Sequence, residues 1–185
     1  YTEYGPAGTS IYANFDGADP NATLTEINVR ELLFFPTALN IDYLILDGLR
    51  FLHAAPNWQA PNVGSSDPNP LTQKGAIGSK MGKGWIIQHC EVSLSKTAGI
   101  IMGESFDDQG SFENINAFGE HIIRNNIIHK CGQYGIAGQK GMTRSTIHGN
   151  RIEDINFRNE FGGYEPAGIK IWNCVDVLIE NNLIR

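Results

Sequence analysis

The chain has 185 residues, which is enough for one domain of ordinary size with a buried core. It carries 14 Lys and Arg against 20 Asp and Glu, and the net charge of −6 argues against a nucleic-acid partner and disfavours a polyanionic sugar. No apolar run approaches the roughly 18 residues that cross a bilayer, so we expect no membrane partner.

Composition indicates an all-β fold with many sharp corners. Charged residues make up only 18% of the chain, which contains 22 Ile, 17 Asn and 21 Gly. Ile favours strands, whereas Asn and Gly favour turns and left-handed backbone conformations.

The cysteines and the familiar motifs exclude several classes of site. Cys90, Cys131 and Cys174 are widely spaced, which is neither a disulfide framework nor a zinc signature, so we interpret them as buried free thiols. The sequence has no Gly-x-Ser-x-Gly elbow, phosphate loop or dinucleotide fingerprint. We therefore predict no nucleophilic serine triad and no cofactor.

The first residues differ from the rest of the chain. Gly5-Pro6-Ala7-Gly8 predicts a turn and residues 9–15 a strand, so we interpret 1–24 as the tail of a preceding or inserted β-sandwich, or as a linker. Residues 26–30 alternate like a half-buried strand and are expected to begin a repetitive domain over 25–185. The start at Tyr1, without Met or signal segment, indicates a fragment or a processed chain, and leaves bacterial cytoplasm and secretion both open.

The second half of the chain repeats itself. An apolar strand ending in Ile, two polar residues, a corner residue and another apolar pair recur at residues 85–92, 121–128, 145–152 and 177–184, with a fainter copy at 44–51. A Gly-Ile element follows: Ile100 comes 13 residues after Ile87, Ile136 comes 13 after Ile123, and Ile169 comes 22 after Ile147. The third unit therefore carries about nine extra residues.

A period in the low twenties with several short strands is typical of a β-solenoid. The Leu-x-x-Leu-x-Leu signature of leucine-rich repeats is missing, so we predict a parallel β-helix, right-handed like most parallel crossovers. We expect Ile87, Ile123, Ile147 and Ile179 to align in one inward column. Asn126, Asn150 and Asn182 are expected to stack at a corner, where their amides can hydrogen-bond between coils.

Three insertions interrupt the repeats, at residues 54–83, 103–119 and 156–166. Insertions of this kind lie on one face of a solenoid and often form its binding face. The last coil would end at Arg185 with an unpaired edge, so we expect the remainder of a parent polypeptide, or homo-oligomers, to cover it.

Glu165 is the favoured catalytic candidate. It follows two glycines and Tyr164 in the third insertion, directly before a predicted core strand. Flanking aromatic rings could desolvate the carboxyl group and raise its pKa, as a glycosidase acid requires. A solvated loop glutamate is the alternative.

The other candidates are expected to line a sugar-binding groove, since sugar sites combine carboxylates with aromatic platforms. Glu104, Asp107 and Asp108 could face Glu165 or bind Ca²⁺, the alternative being a solvated acidic loop. The remaining residues divide by role. The candidates for substrate binding are His53, Trp58, Glu104, Asp107 and Lys170; Trp172 is placed at the groove edge; Trp85 is interpreted as structural; and His89, His121, His129 and His148 are expected on the solvent-exposed surface.

Several segments together resemble glycoside hydrolase family 120, the β-xylosidases, in the same order along most of the chain. They are Ile11-Tyr12-Ala13-Asn14-Phe15, Glu26-Ile27-Asn28-Val29-Arg30, Ala54-Ala55-Pro56-Asn57-Trp58-Gln59-Ala60-Pro61, Lys83-Gly84-Trp85-Ile86-Ile87 and Glu165-Pro166-Ala167-Gly168-Ile169-Lys170. The resemblance implies a right-handed β-helix interrupted by a β-sandwich, and a retaining, exo-acting enzyme that hydrolyses xylo-oligosaccharides from xylan.

The same resemblance implies that Glu165 is an auxiliary carboxylate that contacts substrate. The family's nucleophilic Asp lies one coil beyond the segment matching Asn181-Asn182-Leu183-Ile184, and its acid/base Glu about one coil further, so the main pair would lie past Arg185. Two other functions stay open. A polysaccharide lyase would need basic residues that the long loops scarcely offer, and a non-catalytic carbohydrate-binding or structural β-helix would need no carboxylate pair.

Overall fold

The computed structural model describes residues 2–5, 8–38, 40–56, 74–103, 115–161 and 166–185. Within these ranges the chain forms strands, turns and two 3₁₀ turns, at Ile115–Ala117 and Lys140–Met142, without an α-helix. No helix among these residues is long and apolar enough to cross a membrane.

The strands follow one another in a fixed cycle of three. An N-terminal pair, β1 (Thr2–Gly5) and β2 (Gly8–Ile11), precedes the cycle. The coils then contain β3 (Ile45–Asp47), β4 (Arg50–Leu52) and β5 (Gly75–Gly78); β6 (Ile86–Gln88), β7 (Glu91–Ser93) and β8 (Ala98–Met102); β9 (Ile122–Arg124), β10 (Ile127–His129) and β11 (Tyr134–Gly138); β12 (Thr146–His148), β13 (Arg151–Glu153) and β14 (Ala167–Ile171); and finally β15 (Leu178–Glu180) and β16 (Leu183–Ile184).

Equivalent strands of successive coils pair in parallel, which makes three sheets along the solenoid. The first sheet has the order β3-β6-β9-β12-β15, the second β4-β7-β10-β13-β16 and the third β5-β8-β11-β14. The prediction of an all-β parallel helix is therefore confirmed.

The predicted inward column is present in the first sheet. Ile87 pairs with Ile123, Ile123 with Ile147 and Ile147 with Ile179, and Leu46 of the fainter repeat pairs with Ile87. The side chains of Ile87, Ile123 and Ile147 are completely buried. A second column on the third sheet aligns the Ile residues of the Gly-Ile element, namely Ile77, Ile100, Ile136 and Ile169.

The corners account for part of the Asn and Gly content of the sequence. Each coil changes direction at residues with positive φ, and these stack in three columns. The column before the first sheet contains Tyr43, Gly84, Glu120, Arg144 and Asp176; the next contains Gly48, His89, Asn125, Gly149 and Asn181; the last contains His53, Leu94, Lys130 and Asp154. Gly and Asn adopt this left-handed conformation at the lowest cost, and they hold four of the five positions in the second column, whereas the other two columns contain mostly other residue types.

An asparagine ladder ties the coils together after the second of these corners. The Asn150 side-chain oxygen accepts hydrogen bonds from the backbone N–H of Asn126 at 3.1 Å and from its amide at 3.0 Å. Asn182 repeats the pattern with Asn150, and the Cys90 N–H donates to Asn126 Oδ1 at 2.9 Å. Each buried corner N–H is thus satisfied by the next coil, and the predicted stacking is confirmed.

A second ladder precedes the first sheet and corrects one expectation. The Trp85 N–H donates to His121 Nδ1 at 3.1 Å, and the His121 N–H donates to Ser145 Oγ at 2.9 Å. His121 is fully buried, so its expected place on the exposed surface is wrong. Its ring occupies an inward corner position in register with the buried Trp85, whereas His89, His129 and His148 do reach solvent.

The N-terminal region departs in part from expectation. β1 and β2 pair antiparallel with Gly5 opposite Gly8, but β2 ends at Ile11 rather than near residue 15. Residues 26–30 form no strand and are exposed, so the expected half-buried strand is wrong. Alternation over five residues is too short a signal when no partner strand lies beside it. The boundary between 1–24 and 25–185 stays a prediction.

Replacing Ile123 by Ala should cost about 2–5 kcal/mol of unfolding free energy, because it leaves a cavity in the fully buried column. The matched control is Ile127→Ala in the next strand, where the side chain is 47% exposed and the loss should stay below about 1 kcal/mol. Denaturant titration measures both values. Equal losses for the two variants would contradict the inward assignment.

Stability should fall between pH 6.5 and 4 because of His121. Burial lowers the pKa of its imidazole from 6.5 to about 4, so in this range the unfolded chain binds a proton that the folded chain does not. The unfolding free energy should drop by about 3 kcal/mol at pH 4 from this group. His121→Gln removes that slope, and His148→Gln, at a partly exposed histidine of the next coil, is the control. An unchanged slope in His121→Gln would show that the ring is not buried neutral.

Candidate functional site

All three insertions adjoin the third sheet, and the first ends earlier than predicted because Gly75–Gly78 form β5. The ordinary connections into it, residues 94–97 and 130–133, have four residues, whereas the connection from β4 spans 53–74 and that from β13 spans 154–166. The latter is nine residues longer than the ordinary connection, as the repeat spacing predicted. The second insertion leaves the third sheet after β8 and reaches β9 across residues 103–121. Each of the three long connections therefore begins or ends at the third sheet.

The ends of the second insertion are fixed to neighbouring coils. Gly103 lies directly against Gly141, and a Cβ on either residue would come within 2.2 Å of the other's backbone. Only glycine fits both positions. At the other end the Gly84 N–H donates to the Gly119 carbonyl at 2.8 Å, and Lys83 Nζ donates to the Asn116 carbonyl at 3.1 Å. These contacts determine where the loop leaves and rejoins the solenoid.

Next to this anchor, Glu120 joins two cations. Lys83 Nζ lies 3.2 Å and Arg144 Nη2 lies 3.4 Å from Glu120 Oε1. The hydrogen bond from Lys83 and the charge of Arg144 lower the pKa of the Glu120 carboxyl, which stays ionised as a surface group. It is therefore part of the loop anchor rather than a proton donor.

The third insertion folds back onto the corner that it leaves. The Asn156 N–H donates to the Cys131 carbonyl at 2.8 Å, and Asn156 Oδ1 accepts from the Phe161 N–H at 3.3 Å. The Phe161 ring packs against Gly132, where any Cβ would collide with the Lys96 carbonyl. The insertion is thus tied to the third coil, at Cys131 and Gly132, before the chain enters β14.

The outer face of the third sheet carries an apolar cluster separate from the core. Ile100 and Ile136 point inward, so the alternate residues Ile101 and Ala137 point away from the core. The cluster, which we call the third-sheet platform, consists of Ala98, Ile101, Tyr134 and Ala137, with Ala167 and Trp172 packed against it. Its first four members are no more than 2% exposed, although they lie on the outer face.

Lys170 lies on this platform in register with Ala137. Its ammonium nitrogen is 5.0 Å from the Tyr134 ring centroid and 4.9 Å from that of Trp172, and it donates a hydrogen bond to Tyr134 Oη at 3.1 Å. Contact with two ring faces and a phenol oxygen fixes a cation in one position. The site thus combines a located positive charge with an aromatic edge.

A second surface, the corner cleft, lies where the chain turns from the second sheet into the third. It has a volume of about 490 Å³. Residues 26–28 and the turn at 157–160 form its walls; Ala55, Leu94, Ser95 and Gly132 lie between them; and His53 and Lys96 complete the lining. The Ala55 N–H donates to the Arg30 carbonyl at 2.7 Å, which ties the first wall to the solenoid.

Two of the predicted site residues are described, and they lie on different surfaces. His53 lines the corner cleft, and Lys170 lies on the third-sheet platform and is not part of that lining. Trp172 packs against the platform, and its predicted place at the edge of a sugar-binding groove stays a prediction. The remaining candidates, Trp58, Glu104, Asp107, Asp108 and Glu165, lie outside the described residues. Their predicted places stay predictions.

Sequence reasoning missed Tyr134, although a signal for it exists. The elements Ala98-Gly99-Ile100, Tyr134-Gly135-Ile136 and Ala167-Gly168-Ile169 align, and a large aromatic residue stands where its two partners have Ala. A single bulky residue in a column of small ones indicates a local packing role. The Tyr134 ring provides that role beneath Lys170.

The cysteines offer no nucleophile. All three are free, Cys90 and Cys131 are buried, and burial raises the pKa of Cys131 to about 12 and that of Cys174 to about 11. Both remain protonated near neutral pH, so neither provides a thiolate. Among the described residues no three His, Cys, Asp or Glu side chains are grouped to hold a metal ion. The Ca²⁺ alternative concerned the loop at 104–108, which is outside them.

Known proteins agree with this architecture. Residues 75–185 match the family model described as the right handed beta helix region, which also establishes the hand of the solenoid. The fold is similar to the solved structure of XylC in complex with xylose, with a TM-score of 0.79 and 34% sequence identity. That match covers 98% of this chain and 31% of the XylC chain, so the chain spans about a third of XylC. No curated protein sequence matches it.

The similarity to XylC supports the resemblance to glycoside hydrolase family 120 that the sequence motifs indicate. The family model covers more than half of the chain, from β5 to the last residue. The chain belongs to the right-handed β-helix family.

Proposed function

We propose that this chain forms one wall of a retaining exo-β-xylosidase that hydrolyses short xylo-oligosaccharides. The observation that carries the proposal is the similarity to XylC, at 34% identity over 98% of the chain, in a structure that contains xylose. The third-sheet platform supports it independently, because its chemistry suits a sugar.

A sugar presents apolar C–H faces and polar hydroxyl groups at the same time. The Trp172 ring offers a surface on which C–H groups pack, and Lys170 offers a donor for a hydroxyl oxygen at its edge. Because the Lys170 ammonium already contacts Tyr134, it need not be ordered when substrate binds. A preorganised donor of this kind lowers the entropic cost of binding.

Glu165 is the auxiliary carboxylate in this proposal. Its neighbour Pro166 directly precedes β14, in which Ala167 pairs with Tyr134 of the third-sheet platform. Retaining glycosidases hold two carboxyl groups about 5–5.5 Å apart. By family resemblance the two main carboxylates come from coils after Asn182, and Glu165 holds a substrate hydroxyl beside them.

Glu165→Gln should lower kcat/KM for an aryl β-xyloside by roughly ten- to a thousandfold in the complete protein, the range for one polar contact in the transition state. The melting temperature should stay nearly unchanged, since the substitution keeps the side chain's shape. The matched control is Glu180→Gln, an exposed glutamate on the first sheet, which should retain full activity.

Two results would contradict the proposal. Wild-type turnover by Glu165→Gln would show that Glu165 is an ordinary loop glutamate. A wild-type protein that cleaves no β-xyloside at all would exclude the xylosidase itself.

A further inference from the structure

The corner cleft has the size and lining of a ligand site. Its volume of about 490 Å³ is within the range of small-molecule pockets, which is roughly 300–1,000 Å³. Hydrogen bonds fix both walls, through Ala55 and Arg30 on one side and through Asn156, Cys131 and Phe161 on the other. The cleft is therefore formed before any ligand arrives.

The lining mixes apolar surface with balanced charge. Ile27 and Phe157 are 54% and 43% exposed, which is high for apolar side chains in a concave surface. Lys96 and Arg158 provide cationic donors, and Glu26 and Glu160 provide acceptors. Arg158 contacts the Phe157 ring at 5.0 Å and Glu160 at 3.8 Å, so these three side chains support one another.

This combination favours a neutral polyhydroxylated ligand. A polyanion would be repelled by the two glutamates and a polycation by Lys96 and Arg158, and a purely apolar ligand would leave all four without water. A saccharide instead provides hydroxyl donors and acceptors for the charges and a C–H face for Phe157.

The chain segment that precedes Glu165 also forms part of the cleft. The turn at 157–160 forms one wall, and Glu165 follows Glu160 by five positions, an extended span of at most about 18 Å. A sugar chain held in the cleft is thus within reach of the carboxylate proposed to act on it.

We propose that the corner cleft is an accessory saccharide subsite that binds the distal units of an oligosaccharide whose end is cleaved beside Glu165. The inference rests on the proposed function for its choice of sugar. It makes Phe157, Lys96 and His53 determinants of substrate length, because an aryl monoxyloside does not reach the cleft.

The test compares substrates of two lengths in the complete protein. Phe157→Leu keeps an apolar side chain and removes the ring, and Lys96→Met keeps the stem and removes the charge. Together they should lower kcat/KM for xylotetraose about three- to tenfold, mainly through KM, and change turnover of an aryl β-xyloside less than about twofold. Phe15→Leu is the matched control, since Phe15 is similarly exposed at 38% and does not line the cleft.

Titration of xylotetraose into the same proteins by calorimetry separates this proposal from the proposed function. If no xyloside is cleaved but xylotetraose binds, and the double variant weakens that binding, the saccharide subsite is supported and the xylosidase activity is excluded. If the double variant binds and cleaves xylotetraose as the Phe15→Leu control does, the subsite is excluded while the enzyme stands. Equal losses of kcat/KM with xylotetraose and the aryl β-xyloside would also contradict the subsite. So would a lowered melting temperature of the double variant that accounts for its lost activity.

Discussion

Each coil of this solenoid depends on the next coil for the hydrogen bonds at its corners. Asn150 accepts from Asn126, and its amide donates to the Ile123 carbonyl at 2.9 Å, so the ladder links side chains to buried backbone in both directions. A corner N–H left without such a partner would cost about 1–3 kcal/mol. The Trp85–His121–Ser145 ladder applies the same rule at another corner with different side chains. Strict stacking follows, because a slipped coil would leave several buried groups unpaired.

Strict stacking also determines where variation is allowed. Strand lengths and register are nearly constant, so additional residues are accommodated only between strands, and here they adjoin the third sheet at both of its ends. The platform of Tyr134, Lys170 and Trp172 lies on the same sheet, and the corner cleft lies at its entrance. The rigid part of the fold thus provides a fixed cation and an aromatic edge, and the insertions begin or end at the borders of the same sheet.

The repetitive features were predictable from sequence because they depend on period alone. Once equivalent Ile and Asn residues recur at matching distances, parallel pairing places them in columns, and both columns were predicted correctly. The burial of His121 was not predicted, because a polar residue type favours an exposed position. The alignment of His121 with the apolar Trp85 in the repeats was a signal for an inward position. The strand expected at residues 26–30 failed because alternation without a partner strand does not make a sheet. For the candidate site, the family motif at residues 165–170 singled out Lys170. Its contact with Tyr134 could not be predicted, because the two residues are far apart in sequence and meet only through pairing between coils.

The most direct measurement is a crystal structure of the complete Glu165→Gln protein with bound xylotetraose. The sugar should lie across the outer face of the third sheet, with one ring against Trp172 and Lys170 and the distal rings in the corner cleft beside Phe157. A sugar bound on the outer face of the first or second sheet, with the third-sheet platform empty, would contradict the proposed site.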